Sequence, residues 1–259
     1  MLNREQAPAF KQVEHISLIE PKEQRLKNNI PVFTISGGTQ NLIKIEFIFE
    51  NVDWDPTKPL QTSVTNSMLN EGTHSLTAAE IAAKIDYYGA FLQTEYGLDR
   101  CSVVLYTLKK HLSSTLPIVK EVLTSSIFPE KELEIYVNNQ KQRLKVSLEK
   151  NDFVARKTFN HLLFPGTLYG YDVQPEDYDT LTRDDLLAYY EKCYHPQNCT
   201  IVASGNIGES LTDELDALFG DWHSDKKFKV NNFKFEAVAG QKKLVERADA
   251  LQSAIRLGL

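Results

Sequence analysis

The stretch "SVTNSMLNEGTHSLTAAEIAAKIDYYGA", residues 63–90, decides how the chain is read. Its first part belongs to "KPLQTSVTNSMLNEG" (58–72), a short helix that follows Pro59 and stops at Gly72. Its second part opens with a cap at Ser75 or Thr77. Ile81, Ile85 and Tyr88 then recur at helical spacing, and Gly89 ends the helix. Two strands follow, "AFLQTEYG" (90–97) and "RCSVVLYTL" (100–108), around a turn at Gly97-Leu98-Asp99. The first helix holds no histidine, and its only carboxylate is Glu71, at its very end.

Upstream, the first 28 residues are mixed and polar and read as a surface arm. "IPVFTISGGTQNLIKIEFIFEN" (30–51) reads as a β-hairpin, with Gly37-Gly38 as its turn. No Lys-Ser or Lys-Thr follows those glycines, so they are not a phosphate loop. Downstream, "KKHLSSTLPIVKEVLTSSIF" is a helix with an internal breaker at Pro117. "PEKELEIYVNNQKQRLKVSLEK" (129–150) is a long helix that starts at Pro129, with Leu133, Val137, Gln140 and Leu144 along one stripe. "FVARKTFNHLLF" (153–164) continues helically to Pro165-Gly166. "TRDDLLAYYEKCY" is capped by Thr182 and has acids in its first turn. "CTIVASGNI" (199–207) is a buried strand, and "ESLTDELDALFGDW" a helix that closes at Gly220.

This order of elements gives an α+β fold, an antiparallel or mixed sheet packed by helices. The expected organisation is an arm (1–28), a main domain (29–224) and a linker (225–245). The apolar run 246–259 is then the first strand of a second domain that the sequence only begins.

The 259 residues have 42% hydrophobic content, enough for a sizeable core. A net charge of −6 argues against a nucleic-acid binder. Lys-rich runs such as "KQRLK" (141–145) are solvated helix faces. Three cysteines, Cys101, Cys193 and Cys199, lack disulfide or metal-clip spacing and are expected to be buried, inert thiols. The N-terminus lacks signal-peptide character, and no run approaches the roughly 18 apolar residues of a membrane span. A cytoplasmic location is expected, or a periplasmic one if a leader has been removed.

Several stretches resemble the M16 zinc peptidases, the insulinase-like and mitochondrial-processing-peptidase-like family. "MLNEGTHSLTAAEIAAKIDYYGA" is similar to the segment that follows the family's metal helix. "LFPGTLYGYD" (163–172) is similar to its "PYG" segment. "LTRDDLLAYYEKCYHPQNCTIVASGNI" (181–207) is similar to its Tyr-x-Pro-x-Asn segment, and "LQSAIRLG" to the opening strand of its second domain. Order and spacing together carry the resemblance across residues 25–259.

The family's catalytic signature is H-x-x-E-H on one helix, with a further Glu roughly 70–80 residues later. Histidines at i and i+4 share a helical face and reach one zinc ion, and the Glu between them activates its water. Here those positions read Ser63-Val64-Thr65-Asn66-Ser67. The downstream window "YVNNQKQRLK" (136–145) has no Glu, Asp, His or Cys. Hydroxyls and a carboxamide are poor zinc ligands. The resemblance therefore implies a degenerate site at Ser63, Asn66 and Ser67, and no metal in this chain.

Other candidates have plainer readings. Glu71 and His74 are three apart, but Gly72 breaks the helix between them, so a solvated loop is expected. His111 lies beside two lysines and is expected to be exposed. His161 and His195 are expected to be structural or at the surface. Ser63 and Ser67 have no G-x-S-x-G elbow and no His–Asp pair, so polar residues lining a cavity are expected rather than a nucleophile.

Some members of the family divide the work between two chains. One carries the zinc motif; the other supplies an Arg/Tyr pair from its second domain, which here would lie beyond residue 259. The resemblance implies that this chain is the second type, a non-catalytic substrate-binding subunit. Its expected partners are an H-x-x-E-H chain that holds the zinc and a peptide substrate. The alternative is an inactive scaffold or peptide-binding protein, as a homodimer or in a larger assembly. Peptide capture would use a sheet edge. The resemblance points to the strand at 90–97, with Gln93 as its central residue, where a proline is expected to weaken binding.

Overall fold

The computed structural model describes residues 10, 12, 16–235, 240–248 and 250–258. Parts of the expected arm (1–9, 11, 13–15) and linker (236–239) lie outside the described residues, as do Asp249 and Leu259 of the final run.

Six strands form one mixed sheet: β1 (Lys22–Arg25), β2 (Pro31–Ser36), β3 (Leu42–Glu50), β4 (Phe91–Tyr96), β5 (Arg100–Leu108) and β6 (Cys199–Gly205). Their spatial order is β1-β2-β6-β3-β5-β4. Every neighbouring pair is antiparallel except β2 and β6. Among the described residues, seven α-helices accompany them: α1 (Gln61–Ser67), α2 (Ala78–Tyr87), α3 (Leu112–Ser125), α4 (Glu130–Leu148), α5 (Asn151–Leu163), α6 (Arg183–Cys193) and α7 (Leu211–Phe219). The α+β expectation holds.

Strand alternation sets the two faces of the sheet. Ile43, Ile45, Phe47 and Phe49 of β3, with Cys101, Val103 and Leu105 of β5 and Ile201 and Ala203 of β6, are buried. They meet Val64, Leu116, Val119, Leu186, Leu215 and Phe219 from the helices. Each large apolar side chain buried this way stabilises the fold by about 2 kcal/mol. The opposite face is half-open, with Lys44, Glu46, Ile48 and Val202 partly exposed.

Two helix starts match the sequence closely. The Thr77 hydroxyl accepts from Glu80 N while the Glu80 carboxylate accepts from Thr77 N, and Thr182 and Asp185 repeat this reciprocal cap on α6.

Four expectations change. The hairpin at 30–51 does not form, because β6 lies between β2 and β3. Residues 37–41 span two strand spacings, and Gly205 allows the close fit: a Cβ there would stand 2.2 Å from the Leu42 carbonyl oxygen. Part of the expected arm is strand β1, paired with β2. Pro117 neither breaks nor restarts α3. Proline and the residue four before it, Ser113, are both exposed, so water can reach the carbonyl that loses its donor.

The fourth change concerns the segments after Trp222. Residues 224–235 are docked rather than loose. Val230 bridges Val52, Asp53 N donates to Lys229 O at 3.0 Å, and Trp54 N donates to Asn231 Oδ1 at 2.9 Å. Phe233 packs on Trp54 and Tyr169, and Phe235 on Phe164 and Tyr169. The described part of 246–259 forms no strand, because it lies along helices where no ladder partner is available. Arg247 donates to Leu148 O at 2.9 Å, Asn151 Nδ2 donates to Gln252 O at 2.5 Å, and Gly258 lies against Phe159.

Candidate functional site

Helix α1 packs against both α6 and the edge strand β4. It presents the three positions singled out above. Ser63 Oγ donates to Leu60 O at 3.1 Å, a bond within its own turn. Asn66 is fully buried; its Nδ2 donates to the Tyr194 hydroxyl at 3.1 Å and to Ser102 O at 3.4 Å. Ser67 stands near enough to Tyr136 of α4 to act on its phenol. Ser67 and the window that begins at Tyr136 are thus brought together across helices, 69 positions apart in sequence.

The local electrostatics are those of a desolvated polar pocket. Burial raises the pKa of the Tyr136 phenol, and the neighbouring Ser67 hydroxyl only partly offsets it. Glu71, just past α1, is also raised, first by burial and then by the charge of Glu132 on α4. Two buried acceptors or hydroxyls on α1, Asn66 Oδ1 and Thr65 Oγ1, lack a protein partner.

Behind Asn66 stands a network that sequence reading did not find. The Tyr194 hydroxyl lies 3.2 Å from Cys101 Sγ, and Tyr194 stacks on Tyr190. Asn198, of the same Tyr-x-Pro-x-Asn segment, donates to Cys193 O at 2.8 Å and to Glu50 O at 3.0 Å. The segment's Tyr therefore braces α1 while its Asn ties α6 to β3. All three cysteines are buried and free, and burial raises the pKa of Cys193 and Cys199, which keeps them protonated.

The donor set can be tested against zinc. Ser63, Asn66, Ser67 and Tyr136 offer hydroxyls and a carboxamide, without an imidazole, thiolate or carboxylate. Such a set does not fit a zinc ion, which takes Cys, His and Asp or Glu ligands. Among the described residues, no group of three His, Cys, Asp or Glu side chains could hold a metal ion. His74 is exposed as a solvated loop requires, whereas Glu71 is part-buried beside Glu132 rather than solvated. His111 is part-buried and packs on Tyr88 at 5.2 Å; His161 Nδ1 lies 3.0 Å from Gly170 O; and the buried His195 lies 2.9 Å from Gln197 Oε1. None of the three faces α1 through a hydrogen bond.

Gln93 sits on β4, and β4 is an edge of the sheet. The bond from Gly97 N to Arg100 O at 2.9 Å fixes the phase of the β4–β5 ladder. Paired residues alternate between bonded and non-bonded positions. Phe91, Gln93 and Glu95 therefore turn their main-chain groups inward to Tyr106, Val104 and Ser102. Leu92, Thr94 and Tyr96 turn theirs outward to the free edge. The Gln93 side chain lies on the half-open face of the sheet, in register with Val104. The hairpin turn is held by Asn51, whose Nδ2 donates to Gly97 O at 2.8 Å and to Leu98 O at 2.9 Å.

Comparison with known proteins agrees with this geometry. The family model described as "Peptidase M16 inactive domain" matches residues 180–259. The uncharacterized zinc protease YmxG of Bacillus subtilis is 25% identical over 166 residues, covering 62% of this chain and 40% of the relative. The uncharacterized zinc protease SCO5738 of Streptomyces coelicolor is 21% identical over 148 residues, covering 56% and 32%. Among solved structures, the peptidase M16 inactive domain from Pseudomonas fluorescens superposes with a TM-score of 0.74 at 19% identity, covering 85% of this chain and 54% of that one. A protease from Helicobacter pylori superposes at 0.71 and 15% identity, covering 86% and 53%. The chain thus spans about half or less of the proteins it matches. On fold and sequence together, the chain is similar to M16 peptidases: it shares their fold, and the family model matches its residues 180–259.

Proposed function

We propose that this chain is the non-catalytic, peptide-binding part of a two-chain M16 zinc peptidase, working beside a separate chain that carries H-x-x-E-H. One observation carries the reading: α1 keeps its place against the edge strand β4, yet presents Ser63, Asn66 and Ser67 to the site. Such a helix cannot activate water through zinc, but the edge beside it remains open to an extended backbone. Zinc and the hydrolytic step belong to the partner.

The test is isolation of the full-length protein from its native cells, with companions identified by mass. A stoichiometric companion bearing H-x-x-E-H, with zinc in the complex and none in this chain alone, is the expected result. Recovery of the chain by itself, or with unrelated proteins only, overturns the two-chain reading in favour of a scaffold or peptide-holding role.

A further inference from the structure

The phase of β4 says more than that an edge is free. An antiparallel strand added there would bond to the main chain of Leu92, Thr94 and Tyr96. Phe91, Gln93 and Glu95 would then occupy the non-bonded pairs, which bring facing side chains closest. These three side chains point to the half-open face of the sheet. Phe91 is 64% exposed there, and Glu95 is exposed.

The charges on that face are unevenly matched. Lys44 is paired with Glu46 at 2.7 Å, Arg100 with Glu50 at 3.9 Å, and Arg25 with Glu23 at 3.5 Å. Among the described residues, Glu95 has no ion-pair partner. A second copy of the chain cannot supply one through its own β4, since "FLQTEY" contains no cation in any register.

Resting on the peptide-capture reading above, we infer that β4 is a selective edge. It takes an extended antiparallel segment with a Lys or Arg opposite Glu95 and, four residues towards the C-terminus, an apolar or aromatic residue opposite Phe91. The order follows from direction: an antiparallel peptide passes Glu95 before it passes Phe91. The plain competing role for Glu95 is to blunt the edge against self-association, which would give no preference among peptides.

The experiment measures fluorescence anisotropy of labelled nonapeptides of Thr and Val, at low salt, with the whole chain. One peptide has Lys at its third position and Phe at its seventh; one exchanges Lys for Glu; one reverses the order of Lys and Phe. A fourth repeats the first with alternate N-methylated amides and cannot pair with an edge. The Lys-then-Phe peptide is expected to bind about fivefold more tightly than the Glu peptide, and E95K to invert that preference. The N-methylated peptide is expected not to bind. Equal affinities for the first three, with loss on N-methylation, would overturn the selectivity and leave edge capture standing. Binding that survives N-methylation, or no binding by any peptide, would overturn both.

Discussion

At the scale of residues, the site is defined by exchanges that are chemically coherent. Where zinc ligands would be expected there are Ser63 and Ser67, and where a general base would be expected there is Asn66, fully buried against Tyr194. A glutamate at position 66 would place a carboxylate in that dry position; the carboxamide avoids ionisation and donates to both Tyr194 and Ser102. Of the nearby carboxylates Glu71 and Glu132, Glu71 carries the cost of burial. Its pKa is raised in the folded state, so its favourable contribution is present at low pH and is lost as pH rises through the folded value. E71Q should therefore be more stable than the parent at neutral pH. The difference should vanish below the ordinary glutamate range, as read by urea midpoints across pH 3.5–7.5, a window of roughly four units around that range. Constant offset at every pH would show that Glu71 is not ionising against its surroundings. The residue types at 63, 66 and 67 were legible from sequence, and their match to a metal motif rests on the resemblance. The meeting of Ser67 with Tyr136 was not, because it depends on how α4 crosses α1 and leaves no local periodic signal.

At the scale of elements, local chemistry was readable and long-range pairing was not. The caps at Thr77 and Thr182 came straight from short side-chain patterns three residues wide. The hairpin expected at 30–51 looked sound by the same kind of evidence, alternation around Gly37-Gly38. Its failure has a non-local cause, since the strand that separates its arms begins at Cys199. The β4 phase likewise alters which proline is informative. Q93P removes an inward donor of the ladder and should destabilise the protein by about 1–3 kcal/mol, whatever it does to peptides. T94P removes an outward donor and should cost less stability while weakening peptide binding at least about fivefold. Thermal melts and anisotropy on both variants separate the two effects. Stronger destabilisation by T94P would show that the phase is reversed.

For the whole molecule, the segment after Trp222 connects the sheet's far turn to whatever follows it. Tyr169 bonds Asp99 at the β4–β5 turn and also packs on Phe233 and Phe235. A polar composition without helical period suggested a linker. The alternate aromatics at 233 and 235 were the readable hint of docking, but their pocket comes from Trp54, Phe164 and Tyr169, residues distant in sequence. F233A should loosen the segment: cleavage between residues 225 and 245 by a nonspecific protease should accelerate, with Trp54 emission shifting to the red. Unchanged cleavage and emission would mean that the main-chain bonds at Asp53 and Trp54 hold the segment without the aromatics.

The insertion of β6 between β2 and β3 also dictates when the molecule can form. As the chain leaves the ribosome, β2 and β3 emerge early and must not pair with each other. Their shared neighbour begins 149 residues after β3 ends at Glu50, since β6 starts at Cys199. At ordinary synthesis speeds that delay is about 7–30 seconds, during which two apolar strands wait with open edges. Folding should therefore be slow and dominated by non-local closure. The nascent chain is most exposed to aggregation just before "CTIVASG" appears, which is when a chaperone would matter most.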